Sequence, residues 1–252
     1  MLDLEQEYQE ESVEGKVVLI SGGTTGIGRA TAVMLAWKGA KVFIFARHQR
    51  ELDDAIADGK KVGGEICGCL ADVTKYEDVV NIFDQVKNIY GRLDIMINNA
   101  GTGARSILRS DYDEWMRVIK TNYVGYLLCT RFAVDILKEQ GGGGHIINIG
   151  SMSAHTRDAD TDLYVSTKSA VDGFNESLRK EINRKCIKMT LIEPGSVGTD
   201  LIGKTPAEQQ ELEEHLELLK AEDIARAIYY ALTQPKRTDI LTIQLRSHKQ
   251  VF

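Results

Sequence analysis

The chain has 252 residues, 43% of them hydrophobic, which is enough to bury one substantial core in a single domain. Its formal net charge is −6, and an acidic N-terminal extension, 1–14, accounts for that excess, so we expect neither nucleic acid nor an anionic membrane as a partner. The sequence lacks a run of 18 apolar residues and a basic, apolar leader pattern, so we expect a cytoplasmic protein without a membrane span.

Short apolar runs alternate with helical stretches along the rest of the chain. The pattern predicts strands at 16–20, 41–46, 65–70, 93–97, 144–149, 187–193 and 238–244, and helices at 27–38, 49–60, 75–90, 111–139, 162–185 and 222–233. Seven such strands with intervening helices predict one α/β domain, 15–252, with a doubly wound, Rossmann-type parallel sheet. We expect the extension 1–14 to pack loosely ahead of the first strand.

A Gly-rich segment, S-G-G-T-T-G-I-G at 21–28, follows the first predicted strand and opens the first helix. Glycines let the backbone approach a pyrophosphate, and the free N–H groups of a helix N-terminus hold it. Glycine-rich turns are common, but this position in the first strand–helix unit favours a dinucleotide site. We expect the cofactor to contact Gly22, Thr24, Thr25, Gly26, Ile27 and Gly28.

Tyr164 and Lys168 lie four residues apart in a predicted helix, so their side chains share one face. A neighbouring cation favours the phenolate and lowers the tyrosine pKa from about 10 toward neutrality. Such a pair serves as a general acid or base on an alcohol oxygen. The spacing alone also occurs by chance in solvated helices, so the remaining motifs decide its meaning.

Together these residues resemble the short-chain dehydrogenase/reductase family, from about residue 15 to residue 245. The motifs that carry the resemblance are the Gly-rich loop at 21–28, Asp72-Val73, Asn98-Asn99-Ala100-Gly101, Asn122, Ser151, Tyr164 with Lys168, and Pro194-Gly195 with Thr199. Ser21 stands where the family usually has threonine, and Gly150 stands where a second serine often precedes the catalytic one. Both departures leave the motif spacing intact.

The resemblance implies a catalytic set and a cofactor site. The catalytic residues would be Asn122, Ser151, Tyr164 and Lys168. Besides the loop glycines and threonines, the cofactor contacts would be Asp72, Val73, Asn99, Ala100, Gly101, Tyr164, Lys168, Pro194, Gly195, Val197 and Thr199. From the residues alone, Asn122 could be a core asparagine bonded to the backbone, Ser151 a turn residue and Asp72 a helix cap.

A further helix is predicted at 206–220, because Thr205 suits the N-cap, Pro206 the first helical position and Glu208 a capping box. The resemblance implies that it lies over the substrate pocket as a mobile lid. Pocket walls should come from 102–107, 152–163 and 196–220, where Arg105 or Arg157 could bind an anionic substrate.

Cofactor choice depends on the end of the second predicted strand. NAD enzymes of this fold carry an acidic residue there, which bonds the ribose hydroxyls and repels a 2′-phosphate. This chain has Ala46 and then Arg47, whose guanidinium suits a phosphate. We therefore expect NADP(H).

We expect no metal. Cys67 and Cys69 would face the same side of a strand, but the matching pair of a zinc site is missing, and small buried residues are the better interpretation. His155 could border the pocket, yet no histidine pair has metal-ligand spacing with a carboxylate.

The resulting hypothesis is an NADPH-dependent oxidoreductase that reduces a small ketone or aldehyde, with Tyr164 as general acid. A 3-oxoacyl thioester or polyol-type reductase of the same fold, and a non-catalytic nucleotide-sensing protein, remain alternatives. The tail Ile240–Arg246 is more typical of the branch that holds 3-hydroxy-acid dehydrogenases and aldehyde reductases. The apolar residues of helices 111–139 and 162–185, with family precedent, predict a homotetramer in preference to a homodimer, through Trp115, Phe132, Phe174 and Leu178.

Overall fold

The computed structural model describes residues 10–250. Seven parallel strands form one sheet in the order β3-β2-β1-β4-β5-β6-β7. They are β1 Val17–Ser21, β2 Lys41–Ala46, β3 Glu65–Leu70, β4 Ile95–Asn98, β5 Gly144–Ile149, β6 Ile187–Pro194 and β7 Thr242–Leu245. The predicted doubly wound, Rossmann-type α/β domain is confirmed.

Helices cover both faces of the sheet. They are α1 Gly26–Trp37, α2 Gln49–Lys61, α3 Tyr76–Tyr90, α4 Tyr112–Ile119, α5 Gly125–Glu139, α6 Ser153–Thr156, α7 Asp162–Ile182, α8 Pro206–Glu214 and α9 Ala221–Leu232. One apolar cluster joins α1, α2 and α9 to the sheet, and a second joins α3, α5 and α7 to the opposite face. Strand order reverses between β1 and β4, and in such sheets a crevice opens at the carboxyl ends of the strands there.

The predicted helix 111–139 is interrupted. A π-helical turn, Lys120–Val124, separates α4 from α5 and contains Asn122. The Asn122 amide bonds both backbone groups of Thr102, which ties this turn to the loop after β4. Turns of this kind often lie at functional sites, and a hydrophobic pattern alone does not indicate them.

The predicted helix 206–220 begins as expected and ends early. Thr205 Oγ1 accepts from the Glu208 amide at 3.3 Å, and the Glu208 carboxylate accepts from the Thr205 amide at 2.7 Å, which confirms the capping box. The helix stops at Glu214 because Leu216 takes a left-handed conformation, with φ of 62°. Residues up to Lys220 form a turn before α9.

Three strand and terminus predictions need adjustment. β4 begins at Ile95 and not at 93, and the backbone of Leu93 bonds the Gln140 side chain. β7 begins at Thr242 and not at 238, and a turn closed by the Thr238 amide and the Pro235 carbonyl precedes it. In the extension, residues 1–9 lie outside the described range, but Val13 is buried in the core and therefore not loosely packed.

Within residues 10–250, the structure contains no helix that combines the length and apolarity required to span a membrane.

Candidate active site

A cleft of about 780 Å³ opens at the carboxyl edge of the sheet, where the strand order reverses. Its volume is in the range of small-molecule and cofactor sites. Most residues predicted to bind cofactor or substrate line it, namely Gly22, Thr24, Thr25, Gly26, Ile27, Arg47, Asp72, Val73, Asn99, Ala100, Gly101, Ser151, Tyr164, Lys168, Pro194, Gly195, Val197 and Thr199. The other two, Gly28 and Asn122, lie behind the cleft wall.

The Gly-rich loop is shaped by close backbone packing. A Cβ at Gly22 would lie 2.9 Å from Ala100 Cα, and one at Gly28 would lie 2.1 Å from the Gly22 carbonyl oxygen. Gly22 and Gly26 also have positive φ values of 63° and 49°. Larger residues would therefore displace the loop from the start of α1.

The N-terminus of α1 is left available for an anion. Within the described residues, the N-cap Thr25 makes no side-chain cap bond, and the first turn of the helix contains no acidic residue. Its N–H groups and the positive end of its dipole therefore face the cleft without an acidic side chain in their own helical turn. This arrangement fits the pyrophosphate of a dinucleotide.

Asn99 anchors the loop in addition to lining the cleft. Its Nδ2 donates to the carbonyl oxygens of Ser21 and Gly22 at 3.1 and 2.9 Å. Ser21 Oγ in turn accepts from the amides of Asn99 and Ala100 at 3.0 and 3.1 Å. Serine thus supplies the hydroxyl that joins the two loops, and the absence of the usual threonine methyl does not alter these bonds.

At the far end of the cleft, Arg47 and His48 are exposed and follow directly after β2. No acidic residue ends this strand, which finishes at Ala46. Asp72 lines the same region, and its Oδ1 accepts from the amide and hydroxyl of Thr74 at 2.9 and 2.8 Å. Asp72 therefore shapes the turn before α3 as well as lining the cleft.

Tyr164 and Lys168 lie one turn apart on α7, at the opposite end of the cleft. The Ser151 side chain lies close enough to the Tyr164 phenol to lower its pKa. The Lys168 ammonium donates to the Ile149 carbonyl oxygen at 2.8 Å and lies 5.8 Å from the centre of the Tyr164 ring. Serine, tyrosine and lysine are thus assembled where β5 ends.

Burial dominates the protonation of this group. It raises the pKa of Tyr164, and the hydrogen bond from Ser151 opposes that shift. It lowers the pKa of Lys168 to about 8. The expectation that Lys168 lowers the tyrosine pKa is wrong for this arrangement, because the ammonium is directed to the Ile149 carbonyl. Tyr164 is consequently a protonated phenol at neutral pH.

Asn122 connects the loop after β4 to α7. Its Oδ1 accepts from the Thr102 amide at 2.8 Å, and its Nδ2 donates to the Thr102 carbonyl at 2.9 Å and to Thr167 Oγ1 at 3.3 Å. The backbone-bonded alternative therefore describes its side chain. Through Thr167, Asn122 supports the helical turn between Tyr164 and Lys168.

The substrate end of the cleft contains seven residues from the predicted wall segments 152–163 and 196–220, and one residue, Gln250, from outside them. They are Met152, Ser153, Asp158, Thr161, Asp200, Leu201, Ile202 and Gln250. Gln250 closes this side by bonding both the amide and the hydroxyl of Ser196, each at 3.0 Å. No sequence signal connects residue 250 to the cleft, since the contact spans more than fifty residues.

The two arginines considered for an anionic substrate have other partners. Arg105 forms an ion pair with Glu114, and the Arg157 Nε donates to the Ala154 carbonyl at 3.2 Å. Among the described residues, Lys168 is the only lysine or arginine that lines the substrate end. Asp158 gives that end a negative charge.

Sequence reasoning also missed a grouping of His155, Asp172 and Glu193, which lie far apart in the chain. The cysteines, by contrast, are free thiols, and Cys67 and Cys69 pack partly buried against the second apolar cluster.

The parallel sheet, the Gly-rich loop and the Ser151, Tyr164 and Lys168 group together define a Rossmann-type oxidoreductase. The family model for short chain dehydrogenase matches residues 16–210, and the chain belongs to this family.

Curated relatives cover nearly the whole chain. The Bos taurus dehydrogenase/reductase SDR family member 11 is 34% identical over 248 residues, which cover 94% of this chain and 97% of that protein. An uncharacterized oxidoreductase of Staphylococcus aureus (strain MRSA252) is 34% identical over 234 residues, which cover 92% of this chain and 96% of that protein.

Solved structures agree in fold. The alcohol dehydrogenase from the archaeon Thermococcus sibiricus, complexed with 5-hydroxy-NADP, superposes with a TM-score of 0.85 at 27% identity, covering 94% of this chain and 98% of that one. A metagenomic short-chain oxidoreductase in complex with NADP superposes with a TM-score of 0.82 at 24% identity. The superposition covers 95% of this chain and 100% of that one, and it supports the fold.

Proposed function

We propose that the protein is an NADPH-dependent oxidoreductase that reversibly reduces a small ketone or aldehyde to an alcohol, with Tyr164 as general acid. The observation that carries this proposal is the Tyr164 phenol, which lies beside Ser151 in the cleft and whose pKa burial raises, so that it stays protonated. A protonated phenol supplies the proton that a newly formed alkoxide requires.

When bound, the cofactor supplies the hydride that reduces the carbonyl carbon. Ser151 holds the carbonyl oxygen by a hydrogen bond, and Tyr164 donates its proton to that oxygen as negative charge develops. The Lys168 ammonium lies beside the tyrosine and helps to resupply the proton that Tyr164 has given up. Alcohol oxidation uses the same groups in reverse.

Arg47 supports the choice of NADPH over NADH. Its guanidinium lines the cleft beyond β2, where Ala46 offers no carboxylate to repel a 2′-phosphate. Structural neighbours that contain NADP or an NADP derivative are consistent with this choice. The glycine cradle and the open start of α1 would hold the pyrophosphate.

The charges at the substrate end favour a neutral carbonyl compound. Arg105 and Arg157 are engaged elsewhere, and Asp158 lines this end and would repel a carboxylate substrate. Asp158 and Thr161 could instead accept hydrogen bonds from substrate hydroxyls. This observation favours a polyol-type reductase as the second candidate and disfavours the anionic hydroxy acids.

We further propose that the enzyme is a cytoplasmic homotetramer, or else a homodimer. Phe132, Phe174 and Leu178 are half-buried against the sheet, so part of each side chain remains for a neighbouring chain.

The experiment that tests the function follows NADPH oxidation with a panel of ketones, aldehydes, ketoses and 2-oxo acids. We expect turnover of neutral carbonyl compounds and little turnover of the acids. Folded protein that binds NADPH and reduces no member of the panel would contradict the proposal and favour the nucleotide-sensing alternative.

A further inference from the structure

Three potential metal ligands meet beside the active site, outside the cleft. One ligand atom each from His155, Asp172 and Glu193 lies within 4.8 Å of the other two. They come from the short helix α6, from α7 and from the end of β6, so the fold and not local sequence brings them together.

Glu193 is a buried carboxylate, and neither of the two side chains that hydrogen-bond to it carries a permanent charge. Its side chain is 1% exposed, and Oε1 lies 2.8 Å from His155 Nε2. The Gln244 amide donates to its Oε2 at 2.8 Å. A buried anion is costly unless a cation compensates for it, and an imidazole and a carboxamide do so incompletely.

Asp172 adds a second carboxylate to the same site. Two negative charges at this separation repel each other, and a single imidazole cannot neutralise both even when it is protonated. A divalent cation between the three groups would remove the excess negative charge.

The distances permit a shared ion. Ligands of a tetrahedral zinc ion lie about 2.0–2.2 Å from the metal, and therefore roughly 3.3 Å from one another. The His155 side chain is 45% exposed and Asp172 is partly exposed. Both can rotate toward such an ion and admit it from solvent, whereas Glu193 stays in place.

We propose that His155, Asp172 and Glu193 form a binding site for one divalent transition-metal ion of the Zn²⁺ type. The imidazole favours such ions over Mg²⁺ and Ca²⁺, which prefer oxygen ligands. Gln244 orients the Glu193 carboxylate so that Oε1 faces His155, the kind of supporting bond that metal ligands receive from their neighbours.

The ion would be structural, because it joins three segments that carry the active site. His155 follows Ser151 by four residues, Asp172 follows Lys168 by four, and Glu193 immediately precedes Pro194 in the cleft wall. An ion at this point would hold the end of β5, α7 and the end of β6 in fixed relation without contacting the substrate oxygen.

The test uses the full-length protein without a histidine tag, treated with a chelator and then titrated with Zn²⁺ by calorimetry and with Co²⁺ by absorption spectroscopy. We expect about one ion per chain and a rise in Tm of about 5–10 °C at a metal concentration near 100 times Kd. His155→Gln and Asp172→Asn should each weaken binding at least about 10-fold.

The matched controls are His215→Gln, an exposed histidine at the end of α8, and Glu176→Gln, an exposed acid on α7 one turn beyond Asp172. Both should bind Zn²⁺ like the parent protein. Unchanged affinity in the His155 and Asp172 variants would overturn the proposal. So would a parent protein that binds neither Zn²⁺ nor Co²⁺ in these titrations.

Discussion

The Lys168 ammonium donates to the carbonyl oxygen of Ile149 at 2.8 Å, two residues before Ser151 in the chain. The Tyr126 hydroxyl donates to the same oxygen at 3.0 Å. This pair of bonds directs the lysine toward the end of β5, next to the proposed proton donor. Burial of the Lys168 ammonium is costly, because the charged group leaves water. For the same reason, burial lowers the pKa of Lys168 to about 8.

Removing this charge should stabilise the protein. A shift from 10.5 to about 8 corresponds to roughly 3 kcal/mol of destabilisation of the charged folded form at pH 7. Lys168→Met should therefore raise the free energy of unfolding by about 1–3 kcal/mol at pH 7, while reductase activity is lost. Tyr126 still satisfies the Ile149 carbonyl oxygen in the variant.

The stability that Lys168→Met gains over wild type should decrease as the pH rises. Between pH 8 and 10.5 the unfolded chain keeps the Lys168 proton while the folded protein releases it, so wild-type stability rises across this window. The advantage of Lys168→Met should be complete below pH 8 and shrink toward pH 10.5. Urea denaturation at pH 7 and 9.5 measures the difference in unfolding free energy between Lys168→Met and wild type. A difference that is equal or larger at pH 9.5 would disprove the lowered pKa of Lys168.

Tyr164→Phe should lower kcat by at least about 10²-fold, because the variant lacks the proton donor. NADPH should still bind, since the aromatic ring remains. Tyr123→Phe is the matched control, because its ring packs edge-on against Phe174 and lies outside the cleft lining. Steady-state kinetics and NADPH fluorescence titration measure both effects, and near-normal turnover of Tyr164→Phe would refute the mechanism.

Arg47→Ala should weaken NADPH binding by about 1.5–3 kcal/mol, the value of a hydrogen bond to a charged group. NADH binding should barely change, because it has no 2′-phosphate. Arg50→Ala, which alters an exposed arginine on α2 three residues away, provides the control. Equal losses for the two cofactors, or a parent enzyme that prefers NADH, would refute the role of Arg47.

The proposed tetramer can be tested at Gly173, an exposed residue on α7. A Cβ added there meets no atom within 4 Å among the described residues, so a larger residue is accommodated in one chain. If α7 packs against a second copy, Gly173→Glu should dissociate the assembly and leave the secondary structure unchanged. Light scattering at micromolar concentration should show four 28.0 kDa chains for the parent; a stable single chain would contradict the proposal.

The sequence predicted the elements whose signal is local. The Gly-rich loop, the Thr205 capping box and the seven apolar strands depend on neighbouring residues, and the structure reproduces them with small changes at their ends. The π-turn around Asn122 was not predictable in this way, because it depends on a contact with Thr102 twenty residues away. In the sequence, the periodicity of 111–139 is that of one uninterrupted helix.

The pKa shifts and the contacts between charged side chains were even harder to predict from the sequence. Whether Lys168 lowers the Tyr164 pKa depends on where the ammonium points, and a four-residue spacing does not determine that direction. The His155, Asp172 and Glu193 grouping likewise depends on how α6, α7 and β6 meet. Each is a consequence of tertiary packing, which only the folded chain defines.

A buried histidine should limit stability in acid. His145 lies at the start of β5, and its Nε2 is 2.7 Å from Thr190 Oγ1. The Thr190 hydroxyl donates to the Ile240 carbonyl oxygen at 2.6 Å, so it accepts from His145, whose Nε2 therefore carries a proton. Burial lowers the pKa of His145 to about 3.

Because the unfolded chain takes up a proton near pH 6.5 and the folded protein does not, His145 destabilises the protein as the pH falls below 6.5. The loss should reach about 2 kcal/mol at pH 5. His145→Gln keeps a donor for Thr190 and removes the titration, so its stability relative to wild type should improve by that amount between pH 7 and pH 5. Denaturant unfolding at the two pH values measures the difference, and carboxylates titrate equally in both proteins. A difference that stays constant with pH would show that burial does not lower the pKa of His145 in the folded protein, and would refute the prediction.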